Sequence, residues 1–340
     1  INKLNLRGPD NNNTIQISEN KKMGFTRLSI NDISSNGNQP LIKNDNYYLI
    51  CNGEIYNHKE LQQENEFQTK SNSDCEIIIH MYEKYGIHHT CKSLDGVFAF
   101  VLYDRKLNKV FVSRDPYGVR PLFIGYTKED ELLFCSEMKP ISHLCKKIEV
   151  FKPGHYTCID DDLKICYYEY HNFDFTFNKH SEEQIKENIR NLLVSSVDKR
   201  LMSDRPIGCL LSGGLDSSLI SALVARNYEP YKLNTFSIGM KGSTDLKYAK
   251  LAAEHIKTNH HNIELSVEEF LEAIEETIYV IESYDITTVR ASVGNYLVAK
   301  HIRENTDSKV VFNGDGSDEV TGGYLYFHKA PNSIDFDREC

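Results

Sequence analysis

Two folds in one chain are predicted: an α+β half rich in antiparallel strands, then an α/β half built on a doubly wound parallel sheet. Three observations carry this. Up to about residue 170 the chain is a succession of short strand-like runs separated by turn signals. Beyond it, strand-like runs alternate with segments of helical apolar periodicity. Within that second half, Ser212-Gly213-Gly214-Leu215-Asp216-Ser217-Ser218 breaks the apolar run Ile207 to Leu211 into a glycine turn that opens a helix. The 340 residues suffice for two domains, each burying its own core.

In order, the strand-like runs of the first half are Tyr47 to Cys51, Val97 to Tyr103, Val110 to Ser113, Leu122 to Tyr126 and Leu132 to Ser136. Turn signals such as Lys106-Leu107-Asn108 and Lys128-Glu129-Asp130 separate them. One amphipathic helix interrupts, Asp74 to Tyr85, placing Ile77, Ile78, Met81 and Tyr82 on one face, with Ser73 or Asp74 as its cap. Asn11 to Asn13 is a small polar tract, expected as a loop. The linker is placed at 171–180, around Asn172 to Lys179, between domains at 1–170 and 181–340. Ser181 and Gln184 then form a capping box ahead of an apolar stripe of Ile185, Ile189, Leu192, Leu193 and Val197. Leu233 to Ile238, Asn262 to Leu265 and Lys309 to Phe312 are the further strands of the second half.

The net charge of -10 opposes a nucleic-acid or membrane-surface partner, both of which are anionic. Nine cysteines, an odd number without C-x-x-C pairs, indicate neither a disulfide framework nor a structural zinc site, and suit a reducing cytoplasm. No apolar run approaches the ~18 residues a membrane helix needs, and no signal peptide opens the chain. The chain starts at Ile1 and stops at Cys340 soon after a functional-looking loop, which reads as a fragment.

The 212–218 turn has the chemistry of a pyrophosphate cradle. Its glycines admit close approach of phosphates, the first N–H groups of the helix point at the anion, and Ser212, Ser217 and Ser218 add hydroxyl donors. Asp216 would repel a phosphate unless a Mg²⁺ ion bridges the two. The plain alternative is a tight turn with a serine-rich cap. No Walker A sequence occurs. A second glycine turn, Asn313-Gly314-Asp315-Gly316-Ser317-Asp318-Glu319, carries carboxylates that want a cation, and Asp318 is placed to share the Mg²⁺ with Asp216. A solvated acidic turn is the alternative there.

SGGxDSS resembles the signature of the pyrophosphate-loop ATP pyrophosphatases, which implies transfer of AMP to a substrate oxygen. In the first half, Arg7-Gly8-Pro9-Asp10, Arg27-Leu28-Ser29-Ile30, Asn52-Gly53-Glu54-Ile55-Tyr56-Asn57 and Ser73-Asp74-Cys75-Glu76 resemble the class II glutamine amidotransferases, N-terminal-nucleophile glutaminases with an antiparallel β-rich sandwich. By that resemblance Arg27 binds the glutamine carboxylate, Glu54 and Asp74 its ammonium, and Leu28, Ser29, Ile30 and Asn31 complete the pocket, while Asn52 and the Gly53 N–H form an oxyanion hole. Singly, a surface ion pair for Arg27 and a hairpin turn at Asn52-Gly53 are the simpler readings.

The joined order resembles the glutamine-hydrolysing asparagine synthetases, with further matches at 114–122, 136–139, 284–292 and 322–332. The resemblance implies that ATP and aspartate form β-aspartyl-AMP and pyrophosphate, and that ammonia from glutamine crosses a tunnel to displace AMP. It places Leu210, Ile238, Asn313 and Gly314, with 212–218, around the nucleotide; Thr287, Thr288 and Arg290 on the aspartate side; and ATP and Mg²⁺ as cofactors. A homodimer is left open.

Two departures qualify this. The family's nucleophile is an N-terminal cysteine with its own amine as base, which would precede Ile1; a cysteine inside the chain has no free amine. Asp315 stands where the family usually has glutamate, one methylene longer. The family's C-terminal part would add helices and a lysine for the phosphates. An ammonia-dependent or impaired member, another pyrophosphate-loop amide synthetase, a glutamine-dependent transferase and a non-catalytic glutamine or ATP sensor are the alternatives.

Overall fold

Hairpins organise the first half of the chain. The computed structural model describes residues 1–173 and 179–339. It opens with an antiparallel pair, β1 (Asn11–Ser18) and β2 (Lys21–Arg27), linked across a bulge near Ser18. The Asn11 to Asn13 tract is thus strand and not loop: pairing with Phe25 to Arg27 overrides the poor strand propensity of asparagine. There follow β3 (Leu41–Lys43), β4 (Tyr47–Ile55), the helices α1 (His58–Asn65) and α2 (Ile77–Ser93), β5 (Gly96–Asp104) and β6 (Lys109–Arg114). Next come β7 (Phe123–Thr127), β8 (Leu132–Cys135), β9 (Cys145–Val150), β10 (His155–Ile159) and β11 (Tyr167–Glu169). All pairings are antiparallel, in a six-stranded sheet ordered β11-β10-β6-β5-β4-β3 and a three-stranded sheet ordered β8-β7-β9.

The core of this half sits between the large sheet and α2, with Leu49, Ile55, Phe98, Phe100 and Leu102 meeting Ile78 and Met81. The anticipated face of α2 is buried at all four of its positions. Its start differs from expectation. Asp74–Glu76 forms a 3₁₀ turn, and neither Ser73 nor Asp74 caps the helix with its side chain. The Asp74 carboxylate is drawn instead to the Ile55 N–H at 2.6 Å, a buried donor that water cannot satisfy.

The second half is built on four parallel strands. The capping box of Ser181 and Gln184 opens α3 (Glu182–Arg200), with reciprocal bonds of 3.0 and 3.3 Å. Only Val197 of its stripe is buried, while Ile189 and Leu192 remain exposed. The chain continues through β12 (Ile207–Leu210), α4 (Leu215–Ala225), β13 (Asn234–Met240), α5 (Thr244–Ile256) and β14 (Asn259–Leu265). Then follow α6 (Val267–Ile281), α7 (Ile286–Asn305), β15 (Val310–Phe312), α8 (Ser317–Thr321) and α9 (Ser333–Glu339). The sheet order is β14-β13-β12-β15. Consecutive strands build outward in one direction from β12, and β15 returns to its other side. The order therefore reverses between β12 and β15, the position where open parallel sheets bind ligands at their carboxyl ends.

The chain divides into two units, Ile1–Ile185 and Lys186–Cys340. Half of the anticipated linker, 174–178, lies outside the described residues. Among the described residues, no helix is long and apolar enough to cross a membrane, and eight cysteines are free thiols.

Candidate functional site

In the first unit the separated motifs converge on the free edge of β4. β5 takes β4 residues in register Asn52↔Ala99, Gly53↔Phe98 and Glu54↔Val97. Phe98 directs its backbone groups at Asp115, accepting from its N–H at 2.8 Å and donating to its carboxylate at 3.2 Å. Gly53 opposite is therefore a non-bonded pair, and the N–H groups of residues 51, 53 and 55 turn toward the edge that β3 leaves uncovered. The Gln39 side chain takes the Cys51 N–H at 2.6 Å and Asp74 takes that of Ile55, with the Gly53 N–H between them on the same edge. Only glycine fits at 53, since a methyl there would lie 2.3 Å from the Val97 carbonyl oxygen. Asn52-Gly53 is thus mid-strand, not a hairpin turn.

Around this edge, Asn31 Nδ2 reaches the Asp74 carboxylate at 3.5 Å, Asn52 Nδ2 reaches Ser136 Oγ at 3.5 Å, and Arg120 lies 3.9 Å from Glu54. Asp10 accepts from the Ser29 N–H at 2.9 Å, tying the first motif to the second. Asp74 is 3% exposed, and burial raises its carboxyl above the ordinary range, opposed by the Ile55 bond. Such a group gains from an incoming ammonium. Leu28 is exposed and Ile30 half-buried.

Arg27 is also buried, but its guanidinium is turned on its own loop. It donates to the Ser34 carbonyl and Asn38 Oδ1 at 2.8 Å each, to the Asn31 carbonyl at 3.2 Å, and to the Asp32 carbonyl. Burial lowers its pKa, with Asp32 opposing. It is neither a surface ion pair nor an open fork: a carboxylate ligand has to displace the carbonyls of Asn31 and Asp32.

In the second unit the two glycine turns meet where the strand order reverses. Gly213 has φ +83°, and a methyl there would fall 2.4 Å from the Tyr248 carbonyl carbon and the Ala249 nitrogen of α5. The cradle is knit internally, with Ser217 Oγ 2.9 Å from Ser212 Oγ and accepting from the Ser212 N–H at 3.2 Å. A methyl on Gly314 would come within 2.9 Å of the Ser217 nitrogen, so the β15 turn lies directly against the start of α4. Ser317 Oγ donates to Asp216 at 2.8 Å, and Asn313 donates to Asp315 at 2.6 Å. Leu210 and Ile238 pack in one apolar cluster with Phe236, while Leu215 and Ser218 begin α4, Leu215 fully outward.

Among the described residues no three His, Cys, Asp or Glu side chains are grouped to hold a metal unaided. Mg²⁺ commonly uses one or two protein carboxylates with phosphates and water, and Asp216, joined to the β15 turn through Ser317, is a carboxylate at this cradle.

The chain leaves α7 for β15, so α7 runs against the strands and begins at the edge where the cradle sits. Asp285 caps it, accepting from the Thr288 N–H and hydroxyl at 2.8 Å each. Thr288 Oγ1 is committed to that cap, while Thr287 is exposed. Arg290 lies inside α7 and is exposed.

Residues 1–153 match the family model of a glutamine amidotransferase domain, and 188–338 match asparagine synthase. The asparagine synthetase [glutamine-hydrolyzing] of Cricetulus griseus is 46% identical over 97% of this chain, and that of Homo sapiens 45%. The chain is an asparagine synthetase homologue. It spans 64% of the length of those relatives. Among solved structures, a glutamine PRPP amidotransferase from B. subtilis is 16% identical with a TM-score of 0.39, over 93% of this chain and 80% of that one.

Several groups of the homologue's first site escaped the sequence reading. Gln39 and Asn38, which complete the β4 edge and hold Arg27, come from a polar loop without a motif. Arg120 and Ser136 sat inside quoted matches, but nothing local to them indicates that they face Glu54 and Asn52.

Proposed function

We propose that this homologue performs ATP-dependent synthesis of asparagine from aspartate with glutamine as nitrogen donor, releasing AMP, pyrophosphate and glutamate. The observation that carries the reading is the meeting of the two glycine turns at the reversal of strand order, a cradle for phosphate whose Asp216 is bonded to Ser317 of the acidic turn. The Gly53 N–H and the Asn52 amide are suited to stabilise the oxyanion of a tetrahedral intermediate, with Glu54 and Asp74 for the glutamine ammonium. Arg27 grips the carboxylate once the 31–32 carbonyls yield. The nucleophile that the family resemblance implies is an N-terminal cysteine whose own amine is the base, a role the internal cysteines of this chain cannot fill.

In the second unit the N–H groups opening α4 and the hydroxyls of Ser212, Ser217 and Ser218 hold the phosphates, and Leu210, Ile238, Asn313 and Gly314 surround the nucleotide. Mg²⁺ held by Asp216 and Asp318 supplies charge neutralisation of the phosphate oxygens when bound. Asp315 assists formation of the acyl-adenylate, and Thr287, Thr288 and Arg290 receive aspartate. We place the domains at 1–170 and 181–340, and the enzyme in the cytoplasm.

The test incubates the protein extended to its upstream cysteine with ATP, Mg²⁺, aspartate and amide-¹⁵N glutamine, followed by mass spectrometry. Labelled asparagine with AMP is expected. AMP with unlabelled asparagine leaves an ammonia-dependent synthetase, and absence of AMP overturns the adenylation reading.

A further inference from the structure

We propose that Lys43, His80 and Glu76 form a positioning relay that sets the place of Asp74, and through it the ammonium subsite; the inference rests on the glutamine reading of that site. The relay begins at the end of β3. Lys43 Nζ lies 2.9 Å from His80 Nδ1 and 2.5 Å from Glu83. An ammonium only donates, so Nδ1 accepts and the imidazole carries its proton on Nε2, which faces Glu76 Oε1 at 3.4 Å. His80 is 5% exposed, and its ring stands 5.3 Å from that of Phe67.

Glu76 turns this into a clasp on the backbone. One of its oxygens accepts the Lys70 N–H at 2.8 Å, and the other accepts the Ser71 N–H at 2.8 Å and the Ser71 hydroxyl at 2.5 Å. The Ser71 hydroxyl in turn accepts the Ser73 N–H at 3.2 Å. Residues 70 to 73 are thereby strapped to the turn that carries Asp74, with the Asn72 N–H held at 2.8 Å by Asp32. Burial alone would raise the Glu76 carboxyl; the bonds from His80, Ser71 and Lys70 outweigh it and hold the pKa at about 2.

Packing around these bonds is open on one side. A cavity of about 420 Å³ opens in front of the relay, lined by Lys43, Lys70, Glu76, His80 and Asn38 among others. Asn38, one of its lining residues, also accepts from Arg27. Lys70 is the strap residue that lines this space, so at that end hydrogen bonds hold the strap where packing is open, while Ser71 and Ser73 are buried.

Two substitutions separate relay from filler. His80→Phe keeps a ring against Phe67 but neither donates nor accepts. His80→Gln can accept from Lys43 and donate to Glu76. Glutamine and ATP dissociation constants are measured by calorimetry on the 340-residue chain, with hydrogen exchange of amides 70 to 73. His80→Phe is expected to weaken glutamine by about tenfold and speed exchange at Lys70 and Ser71, with ATP affinity unchanged. His80→Gln is expected within about twofold of the unaltered chain. Glu76→Gln, should His80→Phe not fold, is expected to reproduce its loss. Unchanged glutamine affinity in His80→Phe overturns the relay, as does an equal loss in His80→Gln. If the unaltered chain binds no glutamine while His80→Phe still loosens amides 70 and 71, the glutamine reading falls, and this role of Asp74 with it.

Discussion

Gly213→Ala is expected to be the most damaging single-methyl change in the second unit. Its φ of +83° costs an alanine about 1–2 kcal/mol relative to glycine. The new methyl also meets two backbone atoms of α5 at 2.4 Å, and backbone cannot rotate aside as a side chain can; overpacking of this kind costs about 1–3 kcal/mol. The sum, about 2–5 kcal/mol, is a large part of the ~5–15 kcal/mol that holds a domain folded. Two glycines isolate the contributions. Gly242 has φ +78° with nothing within 4 Å of an added methyl, so alanine there should cost only the strain, about 1–2 kcal/mol. Gly214, in extended backbone at the cap of α4, meets only Ser212 Oγ at 3.5 Å and should cost about 1 kcal/mol through the weaker cap. The chain has no tryptophan, so urea unfolding is followed by far-UV circular dichroism, with hydrogen exchange assigning the transition to the second unit. Gly213→Ala within 1 kcal/mol of Gly242→Ala would refute the claim that α5 presses on the cradle.

The acid limb of stability should report Glu76. Its folded pKa of about 2 lies below the ordinary 4.5, so its contribution is complete above pH 4.5 and is lost as pH falls toward 2; Glu76→Gln should flatten that limb by about 1–2 kcal/mol in pH-dependent urea titrations. Asp285→Ala removes the cap of α7 and both of its bonds to Thr288, and should destabilise by about 1 kcal/mol while weakening aspartate retention in equilibrium dialysis. Ser317→Ala frees Asp216 from its partner on the other turn, and titration with ATP and Mg²⁺ should show weaker binding by about threefold to tenfold. Cys91 and Cys209, buried with thiols pushed up to about 12, should resist iodoacetamide at pH 8 in the native protein, as peptide mapping of the alkylated chain would show.

What the sequence makes legible here is local. The 207–218 stretch declares strand, turn and helix because each signal lies within a dozen residues, and Ile77, Ile78, Met81 and Tyr82 declare a buried face by spacing alone. The failures are tertiary. Asn11 to Asn13 form a strand because Phe25 to Arg27 are there to pair with, and Asp74 abandons the helix cap because β4 offers an uncovered N–H. In the candidate site, motifs identify Asn52, Gly53 and Asp74 by type, but the orientation of Gly53 follows from Asp115 claiming Phe98 on the far side of β5. The commitment of Arg27 to carbonyls of its own loop has no sequence signal at all.

The bond from Ser317 to Asp216 joins residues 101 positions apart, and β15 must dock on β12 to bring them together. During synthesis at ~5–20 residues per second, the cradle leaves the ribosome about 5–20 s before the acidic turn does. β12, α4, β13, α5 and β14 are by then complete, and α6 can begin to fold on its own amphipathic face. For that interval β12 is an edge strand with its backbone groups unpaired on one side, open to any extended segment nearby. Late arrival of β15 thus makes the nascent chain depend on protection of the strand that leads into the cradle, and slow codons or a chaperone acting between residues 220 and 310 would change yield without touching the finished site.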